Sequence, residues 1–142
     1  MLIDANLLLY ATDSSSVHHE RSARWLTAAL RGSRRVAIPW QSLGAFLRIG
    51  TNPRIYAEPL TAEQAWGCVQ GWLEAEATWI PPAGERTAAI VGDILAAHHV
   101  TAGLVPDAML AALAVEHGLV VMSADTDFAR FPEARWENPI AG

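Results

Sequence analysis

Four aspartates stand where carboxylates could gather around a cation: Asp4 in "MLIDAN", Asp107 in "VPDAML", and Asp125 and Asp127 in "SADTDF". Each has a plainer use. Asp107 suits a helix N-terminus, where an acid complements the dipole. Asp125 and Asp127 suit a turn, Asp125 through an Asx-turn. Asp4 is harder to dismiss, because it lies within an apolar segment and would be costly to bury unpaired. Taken singly, the last three are better explained as caps and turns. Taken together they are not: clustered carboxylates repel unless something cationic sits between them, and Mg²⁺ takes oxygen ligands.

Such a cluster requires a fold that brings distant stretches to one place. The stretch "MLIDAN" reads as a short buried strand ending near Asp4. Residues 17–32 carry Ala23, Leu26 and Leu30 on one helical face and close at Gly32. A strand over 34–40 leads into a helix, "QSLGAFLRIG", and then a turn-rich connection, "TNPRIYAEPL". Thr61 and Gln64 have capping-box spacing at the head of another helix. "ATWIPP" reads as a brief strand and "ERTAAIVGDILAAHH" as an amphipathic helix. "PDAMLAALAVEHG" is a helix with Pro106 near its start and Gly118 just past its end. "LVVMSA" is a continuous apolar strand and "RWEN" a last, edge strand. Short apolar strands alternating with helices specify an α/β fold, a parallel sheet covered on both faces. With no linker, repeat or low-complexity tract, residues 1–142 are expected to form one domain. In such sheets ligands bind outside the carboxyl ends of the strands, where Asp4, Asp125 and Asp127 fall and where the helix of Asp107 begins.

Composition narrows the chemistry. The ten basic residues are all arginine, so phosphoryl-transfer sites that need a lysine beside an aspartate are excluded, as is a P-loop. No G-x-G-x-x-G follows a strand, which argues against a dinucleotide site. What remains is metal-dependent hydrolysis, in which bound metal activates water and stabilises the leaving oxygen of a phosphodiester. A net charge of −5 gives no general positive field for nucleic acid, although a cation-binding site must itself concentrate acids. Cys68 is alone and forms no internal disulfide. No apolar run is long enough to span a bilayer and no signal peptide is evident, so a cytoplasmic protein without a membrane partner is expected.

"MLIDANLLLYA", "PWQSLGAFLRIGTNPR", "PDAMLAALAVEHGLVVMSADTDFARFP" and the "RWENP" end resemble a PIN-domain ribonuclease of the VapC toxin type. The likeness runs in order through almost the whole chain and is most specific at its two ends. It implies a three-layer α/β/α sandwich with a mostly parallel sheet, and RNA cleavage dependent on Mg²⁺ or Mn²⁺. It also implies a homodimer and inhibition by a cognate VapB-type antitoxin. Asp4, Asp107 and Asp125 match the family's catalytic, metal-holding acids. Asp127 matches an adjacent acid in a supporting role, and Asn6 a polar residue that orients the first acid. One position departs: where the family usually has a glutamate, on the helix after the second strand, this chain has Ala45, with Gln41 and Ser42 one turn earlier able to hold a water.

The paired histidines, His18/His19 and His98/His99, are poor chelates because adjacent helical residues point about 100° apart. Trp25, Trp66 and Trp72 sit at helical positions and read as core or interface, whereas Trp40 and Trp136 stay open. Arg48 and Arg54, nearer the expected active edge, are the better candidates for RNA contact than Arg31, Arg34 and Arg35. Two alternatives stand beside the nuclease: a weakened PIN domain that mainly binds RNA or antitoxin, motivated by Ala45, and another metal-dependent phosphohydrolase.

Overall fold

Strands buried on both faces, separated by helices with one apolar stripe, have a stable arrangement as a layered sandwich. The computed structural model, which describes residues 1–142, has five strands: β1 (Leu2–Ile3), β2 (Val36–Ala37), β3 (Thr78–Trp79), β4 (Val120–Met122) and β5 (Arg135–Glu137). Its helices are α1 (Ala5–Thr12), α2 (His19–Arg31), α3 (Trp40–Gly50), α4 (Ala62–Glu74), α5 (Glu85–His98) and α6 (Val105–His117), with 3-10 turns at Ala102–Leu104 and Thr126–Arg130.

The strands form one all-parallel sheet in the order β3-β2-β1-β4-β5. Successive side chains leave a strand on opposite faces, and each face builds its own core. Ile3, Val36 and Met122 pack with Leu7, Leu8, Leu26, Leu43, Phe46, Val69 and Trp72 of α1 to α4. Leu2, Ala37 and Val121 pack with Ile94, Ala108, Ala111, Phe128 and Phe131 on the side of α5 and α6. The result is the expected α/β/α sandwich, with "RWEN" as an edge strand. No helix is long and apolar enough to cross a membrane.

The capping box of α4 forms as its spacing predicts: Gln64 N–H donates to Thr61 Oγ1 at 3.1 Å and Thr61 N–H to Gln64 Oε1 at 2.9 Å. Helix α6 ends at Gly118, whose φ of 66° is left-handed. One helix, α1, has no counterpart in the sequence reading. Its apolar residues Leu7, Leu8 and Leu9 are consecutive and all buried, so it lacks the 3.6-residue period that reveals a helix with one wet face.

The sheet order also fixes where a ligand can enter. From β1 the chain proceeds to β2 and β3 on one side, while β4 and β5 lie on the other. The crevice between the carboxyl ends of β1 and β4 is therefore the topological switch point.

Candidate active site

Asp4 is the first residue after β1, and it N-caps α1: Ala5 N–H donates to Asp4 Oδ1 at 2.7 Å. Its other oxygen, Oδ2, accepts the hydroxyl proton of Ser123 at 2.6 Å. Ser123 follows β4 and is fully buried. Its Oγ also accepts from Asn6 Nδ2 and from the Asp125 N–H, each at 3.0 Å. One hydroxyl has one proton and two lone pairs, and here all are used. Asn6 completes the clamp by accepting from Ala124 N–H at 3.3 Å. The end of β1 is thus tied to the end of β4 through side chains as well as the sheet.

Asp125 does make the Asx-turn that is its plainer role, accepting from Asp127 N–H through Oδ1 at 2.8 Å. That turn folds Asp127 back beside it. Asp107 arrives from the first turn of α6, whose start is held to α3 by a 2.6 Å bond from Gln41 Nε2 to Pro106 O. Asp107, Asp125 and Asp127 each offer a carboxylate oxygen, all within 4.8 Å of one another. Asp4 lies outside this tight group but shares a cavity of about 490 Å³ with Asn6, Trp40, Ala45, Arg48, Asp107 and Asp125. A larger cavity, about 630 Å³, opens between Asp13 and the Tyr56 to Leu60 segment. It holds no such cluster, so the chemistry points to the smaller one.

Carboxylates this close together and partly out of water disfavour one another's charged form. The Asp107 carboxyl is pushed up to about 7 by burial and by the like charges of Asp125, Asp4 and Asp127, in that order. Burial also raises Asp4, partly offset by the hydrogen bonds from Ser123 and Ala5, while Asp125 adds to the rise. The ion pair from Arg130 Nε to Asp127 Oδ1, at 3.3 Å, joins two well-exposed side chains and neutralises little. An oxygen-only donor set of this kind fits a hard divalent cation, Mg²⁺ or Mn²⁺.

The residues singled out in the sequence therefore meet at the expected edge, with shifts of emphasis. Asp127 belongs to the tight group, while both oxygens of Asp4 already have partners and Asp4 stands beside it. Ser42 does not serve as a water holder: it is buried and donates its hydroxyl proton to Ile3 O at 2.7 Å, strapping α3 to β1. Ala45 is half-buried in the cavity wall. Arg48 lines the cavity, whereas Arg54 lies outside its lining, on the exposed turn after α3. The histidine pairs contribute no ligand: His98 bonds Glu133 at 2.7 Å and His19 bonds Tyr10 O at 3.0 Å. Ser123 was missed, and its only signal was a lone hydroxyl immediately before the acids.

Residues 1–134 match the PIN domain family model. Ribonuclease VapC37 of Mycobacterium tuberculosis is 43% identical over 140 residues, covering 99% of this chain and 97% of that protein. Ribonuclease VapC33 of the same organism is 34% identical over 137 residues, 96% of each. Among solved structures, VapBC2 from Rickettsia felis, bound to a DNA fragment from its promoter, superposes with a TM-score of 0.72 at 17% identity, covering 96% of each chain. Mycobacterium tuberculosis VapC20, described as a Sarcin-Ricin loop cleaving toxin, gives 0.69 at 15% identity over 94% of this chain and 98% of that one. The chain belongs to the PIN-domain family, and within it to the VapC type.

Proposed function

We propose that the chain is a metal-dependent endoribonuclease, the toxin of a VapBC-type pair, acting in the cytoplasm as a homodimer. The observation that carries the reading is the group of three carboxylates, Asp107, Asp125 and Asp127, gathered within 4.8 Å of one another at the switch point beside Asp4. Relatives named as ribonucleases support RNA as the substrate. Asp107, Asp125 and Asp127 would hold Mg²⁺ or Mn²⁺, with Asp4 beside them. When bound, that ion supplies an activated water and stabilises the leaving oxygen of the phosphodiester. Ser123 and Asn6 fix the Asp4 carboxylate, the Asx-turn aims Asp125, and Arg48 and, more distantly, Arg54 offer charge to the RNA backbone. Purified, antitoxin-free protein incubated with total RNA should cleave it with Mg²⁺ and not with a chelator. Intact RNA under both conditions would remove the reading.

A weakened, RNA-binding PIN domain is the second reading, favoured by Ala45. Ala45→Glu adds a carboxylate to the cavity wall, so the metal-free protein should melt lower through added repulsion. Mg²⁺ or Mn²⁺ should raise its melting temperature by more than it raises that of the wild type, and cleavage should increase. Equal metal-induced shifts and equal rates in both proteins would mean that position 45 does not reach the metal.

The antitoxin reading is supported by VapBC complexes among the structural neighbours. On α2, Leu26 belongs to the core, but Trp25 and Leu30 are only half-buried and leave apolar surface for a partner helix. Co-expression with the adjacent gene should give a small partner that stays bound through gel filtration, and clean separation would count against a toxin.

A further inference from the structure

Trp40 is 53% exposed at the rim of the acid cavity and takes part in neither core. The core-facing residues of α3, Leu43 and Phe46, are fully buried. The start of the helix is already fastened by Gln41 to Pro106 O and by Ser42 to Ile3 O. Trp40 is thus held on firm backbone while its ring is left to solvent. Four and eight residues on, on the same helical face, come Gly44 and Arg48, both exposed and both lining the cavity. A Cβ at Gly44 would meet nothing within 4 Å, so the surface between ring and guanidinium is open. The rise over those eight residues is about 12 Å. An aromatic face, a flat floor and a cation, in line and beside clustered acids, match what a nucleic acid strand with unstacked bases presents: a π-face and successive phosphates.

We propose that Trp40 is the base-binding residue of this site. Its indole stacks an unpaired base of the RNA, and the adjoining backbone crosses Gly44 and Ala45 past Asp107 and Asp125 towards Arg48. The proposal rests on the ribonuclease reading. Stacking accepts any base, so Trp40 contributes affinity for unpaired over paired RNA rather than reading sequence.

The test uses the full-length protein with Mg²⁺ and a short unpaired RNA carrying a cleavage site mapped from total RNA. Trp40→Ala should raise KM by roughly 5- to 150-fold with a much smaller change in kcat, the range expected for one lost stacking contact. Trp40→Phe should recover most of that loss. Abasic substitutions are then walked along the RNA in wild type and Trp40→Ala. At one position near the scissile phosphate, base removal should raise the wild-type KM and leave that of Trp40→Ala unchanged, because both changes delete one contact. Thermal melts should be nearly the same, the ring being exposed. An unchanged KM in Trp40→Ala overturns the proposal and leaves the nuclease standing. So does a loss that no abasic position shares, or a loss that accompanies a shift to smaller size on gel filtration, which would make the occupant of the indole a second copy of the chain. If wild type cleaves no RNA, the ribonuclease reading falls and the stacking role with it.

Discussion

Asp107→Asn is expected to stabilise the metal-free protein near neutral pH and to lower RNA cleavage by orders of magnitude. The two effects have one cause. Asp107 sits among three other carboxylates, and its own pKa is pushed up to about 7. In the unfolded chain it returns to the usual carboxylate range near 3.8. Between those values the native state holds a proton that the unfolded state has released, so stability falls as pH rises. The penalty is absent below about pH 4 and complete above about pH 7. Its size is smaller than the shift alone suggests, because Asp107 is only half-buried and solvent screens it. Asparagine does not titrate, so the variant should lose this decline, and its melting temperature should exceed that of wild type most clearly above pH 7. Mg²⁺ should reverse the order. On the proposed reading it would bind the ionised cluster in competition with protons, so it should raise the wild-type melting temperature more at pH 8 than at pH 5, and the variant's far less at both. Melts of both proteins across that range, with and without Mg²⁺, beside a cleavage assay, check all of this. A variant that cleaves at the wild-type rate, or one destabilised without metal, would mean that Asp107 only complements the N-terminal dipole of α6.

How much of this was legible depended on whether a residue's role is local. The α4 capping box, the Gly118 stop and the apolar β4 strand are short-range patterns, and each forms where its spacing places it. Strand alternation with helices was enough for the sandwich, and the carboxyl-edge rule was enough to bring Asp4, Asp107, Asp125 and Asp127 to one crevice. Helix α1 was not legible, because its buried leucines, Leu7, Leu8 and Leu9, are consecutive and show no helical period. The weights within the acid cluster were not legible either. Asp127 enters the tight group through the Asx-turn of Asp125, and Asp4 stands beside it because Ala5 and Ser123 engage its oxygens; both depend on rotamers. Ser42 looked like a site residue by position and is a strap by hydrogen bonding. Trp40 stayed undecided because a helix N-terminus does not say whether its first side chain is covered.

Ser123→Ala should damage the protein more than the loss of one hydroxyl suggests, and in a way that separates Asp4 from Asp107. Ser123 Oγ accepts from Asn6 Nδ2 and Asp125 N–H, so its single proton must go to Asp4 Oδ2. Alanine leaves two donors and one acceptor without a partner at a fully buried position, where an unsatisfied polar group costs about 1–3 kcal/mol. Water from the adjoining cavity can reach part of the gap, so the total should stay within that range, a drop of several degrees in melting temperature. Cleavage should fall by about 10- to 100-fold, the usual consequence of releasing a group that orients a metal-site carboxylate. Asn6→Ala removes one of the three bonds to Ser123 and the bond that Asn6 Oδ1 accepts from Ala124 N–H. It leaves the Asp4 carboxylate and the Asp125 N–H engaged, so cleavage should fall less than in Ser123→Ala. The double variant should cost less than the sum, because the two side chains share a bond. The same wiring predicts that Asp4→Asn destabilises where Asp107→Asn stabilises. To accept the Ser123 proton, an asparagine at position 4 must turn its amide nitrogen towards the Ala5 N–H, donor against donor; turned the other way, it faces Ser123 with a second donor. Melts of Ser123→Ala, Asn6→Ala, their double variant and Asp4→Asn without metal decide the matter. Additive losses, or an Asp4→Asn protein that melts above wild type, would show that Ser123 is not the hub holding the ends of β1 and β4 in register for the acids.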